Sequence, residues 1–370
     1  MPEPNLEKLR DELMKINNDL LELLNRRARV VTRVREVKAR DGVPLFVPER
    51  EQKMIDDLLD HNRGPFTNDT VKHLFKEIFR ASVALMERED GNVLRVSRAF
   101  RPQDLVIRVG DLEIGGAQPV VIAGPCAVES EEQMDMVAGG LARLGIKFLR
   151  GGTFKPRSSP YAFQGLGEVG LKILSAAARR YGLASVTEVM DTRMVGLVEE
   201  HADVIQVGAR NMHNYALLRE VGRARKPVLL KRGQAATIDE LLWSAEYVVN
   251  EGNPDVILCE RGIRTFETQT RNTLDISAVP LVRQASFLPI IVDVSHAAGR
   301  KDILPALARA ALAAGANGVM VEVHPFPAAA RSDSQQQLDL QEFARFLAGL
   351  GVPLSDSRAP AAPAAAAAKP

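Results

Sequence analysis

Four widely spaced residues carry side chains that ligate transition metals: Cys126, His296, Glu322 and Asp333. One thiolate, one imidazole and two carboxylates form a mixed donor set that suits manganese, iron, cobalt or zinc better than calcium or magnesium. Each residue also has a plainer reading, as a packed core thiol, a satisfied strand-end histidine, a carboxylate paired with an arginine, or a surface aspartate. A second group is crowded into residues 147–161, KFLRGGTFKPRSSPY, where Arg150, Lys155, Arg157, Ser158 and Ser159 surround a glycine pair. Planar guanidinium forks, a point-charge ammonium and hydroxyls on a pliable backbone are the means of gripping phosphate. The plain alternative is a solvated basic loop.

These residues need elements to position them. Eight apolar runs recur at similar intervals, at 120–123, 146–149, 184–186, 204–207, 228–230, 256–258, 290–292 and 319–321, with helical stretches such as 131–144 and 302–314 between them. Such alternation predicts an α/β chain closed as a (β/α)8 barrel. Each run ends in polar residues: GPCAVE, RGGTFKPR, TEVMD, GARNM, KRG, ERGIR, DVSHAAGR and EVHP. The carboxyl ends of the strands are where this fold builds active sites. All four candidate ligands fall there or just beyond, and so do Arg150, Lys155, Arg157, Arg210, Lys231, Arg261, Arg264 and Arg300. So many cations on one rim require anionic ligands, which points to phosphorylated or carboxylated substrates. Cys259, inside the run ILCERG, reads as core.

The first ninety residues follow a different period. Leu6, Leu9, Leu13, Ile16, Leu20, Leu23, Val30, Val34 and Val37 keep a three-four spacing that is broken at Arg27. A helix with so long a seam needs partner helices. Arg27 and Lys38 lie within about 20° of each other on a helix of 3.6 residues per turn. Two cations on one inward face call for an anion, although a polar seam residue that merely fixes register is the competing reading. Further helices are expected from Pro48, burying Met54, Ile55, Leu58 and Leu59, and from about Thr67 to Glu87. The expected organisation is an all-α three-helix unit over 1–90, a linker over 91–104, a barrel domain over 105–350 that begins with a hairpin about Gly110-Asp111, and a disordered Ala/Pro tail over 351–370.

Composition narrows the rest. The 370 residues are 46% hydrophobic and 26% charged, with a formal net charge of +1, which gives no general affinity for nucleic acid or membrane. The start, MPEPNLEKLRDEL, lacks the form of a signal peptide, so a cytoplasmic protein is expected. Two cysteines make no disulfide framework.

Residues 6–87 resemble the all-helical chorismate mutases, in which a long helix and two shorter ones intertwine with a second copy. The resemblance implies that Arg10 reaches the other subunit's pocket. It also implies that Arg27, Lys38 and Arg50 hold the substrate's carboxylates and ether oxygen, that Glu51 accepts from its hydroxyl, and that Ser82 supplies a pocket hydroxyl. Val47 stands where an aspartate is usual, and Met86 where a hydrogen-bond donor is usual; a thioether cannot donate. A mutase and a sensor of chorismate or prephenate that conveys feedback inhibition are both compatible with such a unit.

From about Leu105 to Leu350 the motifs GPCAVES, LRGGTFKPRSSPYAFQG, GARNM, LLKRG, CERGIRTFET and DVSHAAGR, with the stretch from EVHP to Asp333, resemble the 3-deoxy-D-arabino-heptulosonate 7-phosphate (DAHP) synthases of the shorter bacterial subclass. That family opens the shikimate pathway by condensing phosphoenolpyruvate with erythrose 4-phosphate. The resemblance implies Cys126, His296, Glu322 and Asp333 as ligands of one divalent transition metal, with Mn2+ first and Fe2+, Co2+ or Zn2+ as alternatives. It implies Arg150, Lys155, Arg210, Lys231 and Arg261 around phosphoenolpyruvate, and Arg157 and Ser158 around the phosphate of erythrose 4-phosphate. His296 and Lys155 are the catalytic candidates, Lys155 as proton carrier or as phosphate clamp. The sister enzyme, which uses arabinose 5-phosphate to make 3-deoxy-D-manno-octulosonate 8-phosphate, is the alternative; it usually carries an asparagine where this chain has KPRSS. A homo-oligomer is also implied, dimeric through the helical units and tetrameric through the barrels.

Overall fold

The structure is a computed structural model that describes residues 6–41, 48–89, 94–155 and 161–351. Expectations resting on Val47, Arg157, Ser158 and the tail from residue 352 lie outside the described residues, as do the side chains of Glu51 and Met86. The chain forms two compact units, Met1–Val93 and Leu94–Pro370.

The first unit holds three helices: α1 (Leu6–Asp41), α2 (Pro48–Asp60) and α3 (Asn68–Glu89). α3 packs on both α1 and α2, and the fully buried apolar side chains of the unit are Ile55 and Phe79 among the described residues. The seam of α1 stays exposed at Leu6, Leu9, Leu13, Ile16, Leu20, Leu23, Val30, Val34 and Val37. Its spacing is right for a buried face, and within one chain nothing described covers it.

The second unit opens with a hairpin of β1 (Ile107–Val109) and β2 (Leu112–Ile114). Gly110, at φ 60, makes the turn and pairs Val109 with Leu112. Eight parallel strands then close into a barrel: β3 (Val120–Gly124), β4 (Phe148–Arg150), β5 (Ala184–Val189), β6 (Val204–Val207), β7 (Val228–Lys231), β8 (Val256–Glu260), β9 (Ile290–Asp293) and β10 (Gly318–Glu322). They run in sequence order around the barrel, and β10 pairs with β3 to complete it. Every residue of these strands is buried, as expected where a barrel interior lies on one side and helices on the other. Helix starts follow local chemistry: Ser130 accepts from Gln133 N before the helix Glu131–Arg143, and Thr237 with Glu240 forms a capping box.

Residues 94–104, expected as part of a linker, bond to the barrel unit. Arg95 N and Val96 N donate to the Glu246 carboxylate, Ser286 Oγ donates to Val96 O, and Arg98 Nε donates to Arg283 O. No described helix is long and apolar enough to cross a membrane.

Two features of the barrel prepare the site. Five strands, β4, β7, β8, β9 and β10, have a charged residue as their last: Arg150, Lys231, Glu260, Asp293 and Glu322. The register of β10 on β3 sets Glu322 opposite Gly124, so the last turn of β10 meets the Gly-Pro-Cys that leaves β3. Gly124 is at φ 147, and a Cβ there would lie 1.9 Å from the Arg150 carbonyl oxygen. Only glycine fits such an approach. Gly124→Ala is expected to lower the thermal midpoint of the barrel by on the order of 5 °C or more, followed by circular dichroism; an unchanged midpoint would show that the strand end relaxes freely.

Candidate functional site

Cys126 is placed by five bonds. Its N–H donates to Gln337 Oε1 at 2.9 Å, and Gln337 Nε2 donates to Ser332 O at 2.8 Å. Ser332 Oγ donates to Cys126 Sγ at 2.8 Å, and Lys155 Nζ donates to Cys126 O at 2.7 Å and to Sγ at 3.2 Å. The thiol in turn donates to Asp333 Oδ2 at 3.1 Å. Asp333 has φ 50, the one positive value among the described residues other than glycine. Glu322 is buried and held at both oxygens: Oε1 accepts from Arg150 Nη1 at 2.6 Å, and Oε2 accepts from Gln336 Nε2 at 2.6 Å. One ligand atom from each of Cys126, Glu322 and Asp333 lies within 4.8 Å of the others.

His296 lies outside that set of three and borders it. It sits in the short helix Val294–Ala298, whose cap Asp293 accepts from His296 N at 2.9 Å. Its Nε2 is 3.5 Å from Glu322 Oε1. Its Nδ1 is 2.8 Å from Asp293 Oδ2, a charge contact without hydrogen-bond alignment.

Burial and charge set the protonation of this group. Burial first, and the Glu322 carboxylate second, push the Cys126 thiol up to about 11. Burial works to raise Asp333, but Arg271 and His296 bring it down to about 2. The same balance lowers Glu322, where His296 and Arg150 outweigh burial, while burial lowers the imidazole of His296. A neutral thiol, an uncharged imidazole and two carboxylates therefore meet at neutral pH. They fit a divalent transition metal in donor type and charge, and Cys126, Glu322 and Asp333 fit it in spacing as well, because a cation offsets the repulsion of clustered carboxylates and lets the thiol ionise.

Beside the cluster, a cavity of about 210 Å³ receives Arg150, Lys155, Arg210, Lys231 and Arg261, all five of the cations expected around one anionic substrate. Four of them are 5% exposed or less: Arg150 at 2%, Lys155 at 5%, Lys231 at 4% and Arg261 at 4%. Lys231 is hydrogen-bonded to Asp293. Arg150 uses Nη1 for Glu322 and for Pro125 O, which leaves Nε and Nη2 for the cavity. Arg261 reaches carbonyl oxygens only, Gly262 O at 3.4 Å and His296 O at 3.5 Å, and burial lowers its pKa. A buried guanidinium so weakly matched is ready for an anion.

Other cations of the rim go elsewhere. Arg264 is exposed and donates to Gln234 Oε1, and Arg300 lines a neighbouring cavity while paired with Asp302. Glu188, Gln206 and Arg271 line the main cavity and were not foreseen, nor were Ser332, Gln336 and Gln337. TEVMD marks the strand end that carries Glu188, but no signal in the sequence singles out the others. In the helical unit, Arg27 Nη1 donates to Ser82 Oγ and its guanidinium lies 5.1 Å from the Phe79 ring centre. Lys38 is half-buried, while Arg10 and Arg50 are exposed.

A closed parallel barrel, with a metal-type donor set and buried cations at the carboxyl ends of its strands, defines an enzyme-class scaffold for anionic substrates. Residues 98–352 match the profile described as the DAHP synthetase I family, and the chain belongs to that family. Residues 9–87 match the chorismate mutase type II profile. The chain is 56% identical over 248 residues to the phospho-2-dehydro-3-deoxyheptonate aldolase of Thermotoga maritima, covering 67% of this chain and 73% of the relative. It is 31% identical over 255 residues to the 2-dehydro-3-deoxyphosphooctonate aldolase of Koribacter versatilis, covering 63% and 90%. The crystal structure of the Thermotoga maritima DAHP synthase superposes with a TM-score of 0.68 at 53% identity, covering 70% of this chain and 78% of that one.

The two cysteines provide the test of the ligand set. Cys126→Ser is expected to weaken binding of a divalent transition metal by 10-fold or more, on the order of the losses known for altered metal shells, in a calorimetric titration. Cys259→Ser, in the wall of β8 with a thiol raised to about 12 by burial, leaves affinity unchanged. Because the Cys126 proton must leave, wild-type affinity rises with pH and the serine variant loses that dependence. Equal effects of the two substitutions would reject the assignment.

Proposed function

We propose that the barrel condenses phosphoenolpyruvate with erythrose 4-phosphate to DAHP and inorganic phosphate, the first step of the shikimate pathway, in the cytoplasm. The observation that carries this reading is the row of buried cations, Arg150, Lys155, Lys231 and Arg261, lining one cavity that Asp333 of the Cys126–Glu322–Asp333 cluster also lines. The family supports it, and so does the higher identity to the heptonate than to the octonate aldolase.

A divalent transition metal held by Cys126, His296, Glu322 and Asp333, with Mn2+ first among the choices, supplies Lewis acidity toward an aldehyde oxygen when bound. The protein's own groups do the rest. Arg261 and the free edge of Arg150 take the phosphate and carboxylate of phosphoenolpyruvate, with Lys231 and Arg210 closing the shell. Their burial strengthens each contact and keeps bulk water from the reacting carbons. Lys155 Nζ, 3.2 Å from Cys126 Sγ and lining the cavity, stands between cluster and substrate and can hold a proton there. Arg157 and Ser158 take the phosphate of the aldose. The condensation joins C3 of phosphoenolpyruvate to the aldehyde carbon, water adds at C2, and phosphate leaves.

Purified protein should lose its activity in excess chelator and regain it with Mn2+ or Co2+, and should prefer erythrose 4-phosphate to arabinose 5-phosphate. Full activity in chelator overturns the metal assignment, and the opposite preference makes the chain an octulosonate-type enzyme.

For the helical unit we propose a binding site for chorismate or prephenate that regulates the barrel. Arg27 is half-buried and, among the described residues, pairs with a hydroxyl and a ring but no carboxylate, while desolvation lowers its pKa. Lys38, Arg50, Glu51, Ser82 and Arg10 complete the proposed shell, Arg10 from a second copy seated on the exposed seam of α1. The homo-oligomer would be a dimer through these seams and a tetramer through the barrels. Coupling of such sites is typically about 1–3 kcal/mol. Prephenate is expected to inhibit the synthase, and Arg27→Ala to raise the inhibitory concentration about 5-fold or more, consistent with that coupling, without lowering uninhibited activity. Steady-state rates across a prephenate series decide it: no inhibition of the wild type ends the proposal.

A further inference from the structure

Arg271 is absent from every set of residues that motif and spacing bring forward. It lies in the long loop after β8, which is pinned at its base where Ile263 and Thr273 exchange backbone hydrogen bonds. The residues just before that pin are laid along the helix that carries His296. Arg271 N donates to Ala298 O at 2.9 Å, Asn272 N donates to Ala297 O at 2.9 Å, and Asn272 Nδ2 donates to His296 O at 2.8 Å. Contact is close enough that a Cβ on Gly299 would lie 2.4 Å from Arg271 Cβ.

From that anchored backbone the guanidinium reaches the other two carboxylate ligands. Arg271 Nη1 lies 3.1 Å from Asp333 Oδ1, the oxygen not facing Cys126. The same nitrogen donates to Gln336 Oε1 at 3.0 Å, and Gln336 Nε2 donates to Glu322 Oε2, the oxygen not facing Arg150 or His296. One side chain thus reaches two of the ligands, Asp333 directly and Glu322 through a buried glutamine, while its backbone is bonded to Ala298 in the helix that carries His296. The Arg271 side chain is 38% exposed, and an ion pair so placed adds little to folding stability. Its effect must lie in orientation. Asp333 needs such a hold, because its positive φ is a conformation that non-glycine residues keep only when their surroundings impose it.

We infer that Arg271 is a positioning residue for the metal centre, fixing the spare oxygens of Asp333 and Glu322 so that their other oxygens converge with Cys126 Sγ. The inference deepens the metal-site reading above and rests on it. Outer partners of this kind typically change metal affinity by about 10–100-fold. A competing role follows from its place on the wall of the main cavity, where a guanidinium could instead hold substrate phosphate.

The experiment is a Co2+ titration of the full chain, read by thiolate-to-cobalt charge-transfer absorption, with steady-state kinetics at saturating metal alongside. Wild type should show the band and Cys126→Ser should lack it. Arg271→Ala should keep the band but need about 10–100-fold more Co2+ to fill it. Arg271→Lys should recover part of the loss, since an ammonium reaches Asp333 but cannot also serve Gln336 in the same plane. Thermal midpoints of both variants close to wild type separate this effect from unfolding, and Arg271→Lys carries the test if the alanine variant is unstable. If Arg271→Ala binds Co2+ as tightly as wild type while its KM for a phosphorylated substrate rises, the residue is a substrate ligand and the inference is wrong. If wild type shows no thiolate band, the metal-site reading falls and takes the inference with it.

Discussion

Charge cancellation at the carboxyl end of an otherwise apolar barrel is the constraint on which the site depends. Arg150 faces Glu322, Lys231 faces Asp293, and Arg232 faces Glu260 and Asp275, with most of these atoms withdrawn from water. Removing one partner of a buried pair typically costs about 3–5 kcal/mol, because the charge left behind has no solvent. These strand ends therefore hold one another in place. The cancellation is incomplete where it matters: among the described residues Arg261 bonds carbonyl oxygens and no carboxylate, and the hydrogen bonds of the Arg150 guanidinium all use Nη1. The surplus positive charge is a preformed counterpart for an anion, while the surplus negative charge of Glu322 and Asp333 beside it is a counterpart for a cation. The two opposite deficits lie side by side, so a divalent metal held at the carboxylates would supply Lewis acidity next to the cations that bind an anionic substrate.

Much of this was legible in the sequence, for identifiable reasons. Strands of a closed parallel barrel are buried on both faces, so they appear as short apolar runs, and all eight runs fall on strands β3 to β10. The residues after each run lie at the mouth, so four side chains of metal-ligating type and eight rim cations could be singled out without knowing the path of the loops; resemblance to the family, not position, narrowed the eight to the five that line the cavity. What remained hidden is direction. Lys231 and Arg232 are adjacent and equally cationic, yet Lys231 points inward to Asp293, while Arg232 turns to Glu260 and Asp275 and braces the wall. Arg300, similarly, is taken by Asp302. Gln336 and Gln337 sit in a loop without period, where nothing local reveals that they hold Glu322 and Cys126.

The helical unit shows the converse. Its period is plain along α1, and the helix forms where the pattern places it, but the pattern says only that a partner exists. Within one chain the apolar seam is exposed, and Ile55 and Phe79 are the buried apolar side chains among the described residues of this unit. Arg27 illustrates the consequence. It breaks the apolar period, and the structure shows it drawn to Ser82 and Phe79, away from bulk water. Among the described residues Arg27 has no carboxylate partner, so its partial desolvation is not offset by an anion within this unit.

The two cysteines show why burial alone could not have identified the site. Both are buried, and burial raises both thiols, Cys126 to about 11 and Cys259 to about 12. The recorded partner of Cys259 Sγ is the carbonyl of Glu260 at 3.6 Å, a contact that any strand-wall thiol could make. Cys126 Sγ receives hydrogen bonds from Lys155 and Ser332, the two donors a thiolate would need, and gives its own proton to Asp333. That last bond exists only while the thiol is protonated. Were a divalent cation held by Cys126 and Asp333 as proposed, that proton would have to leave, which would couple metal binding to pH. The donors already present at Cys126 lower the cost of that step, and their absence at Cys259 leaves its sulfur as packing.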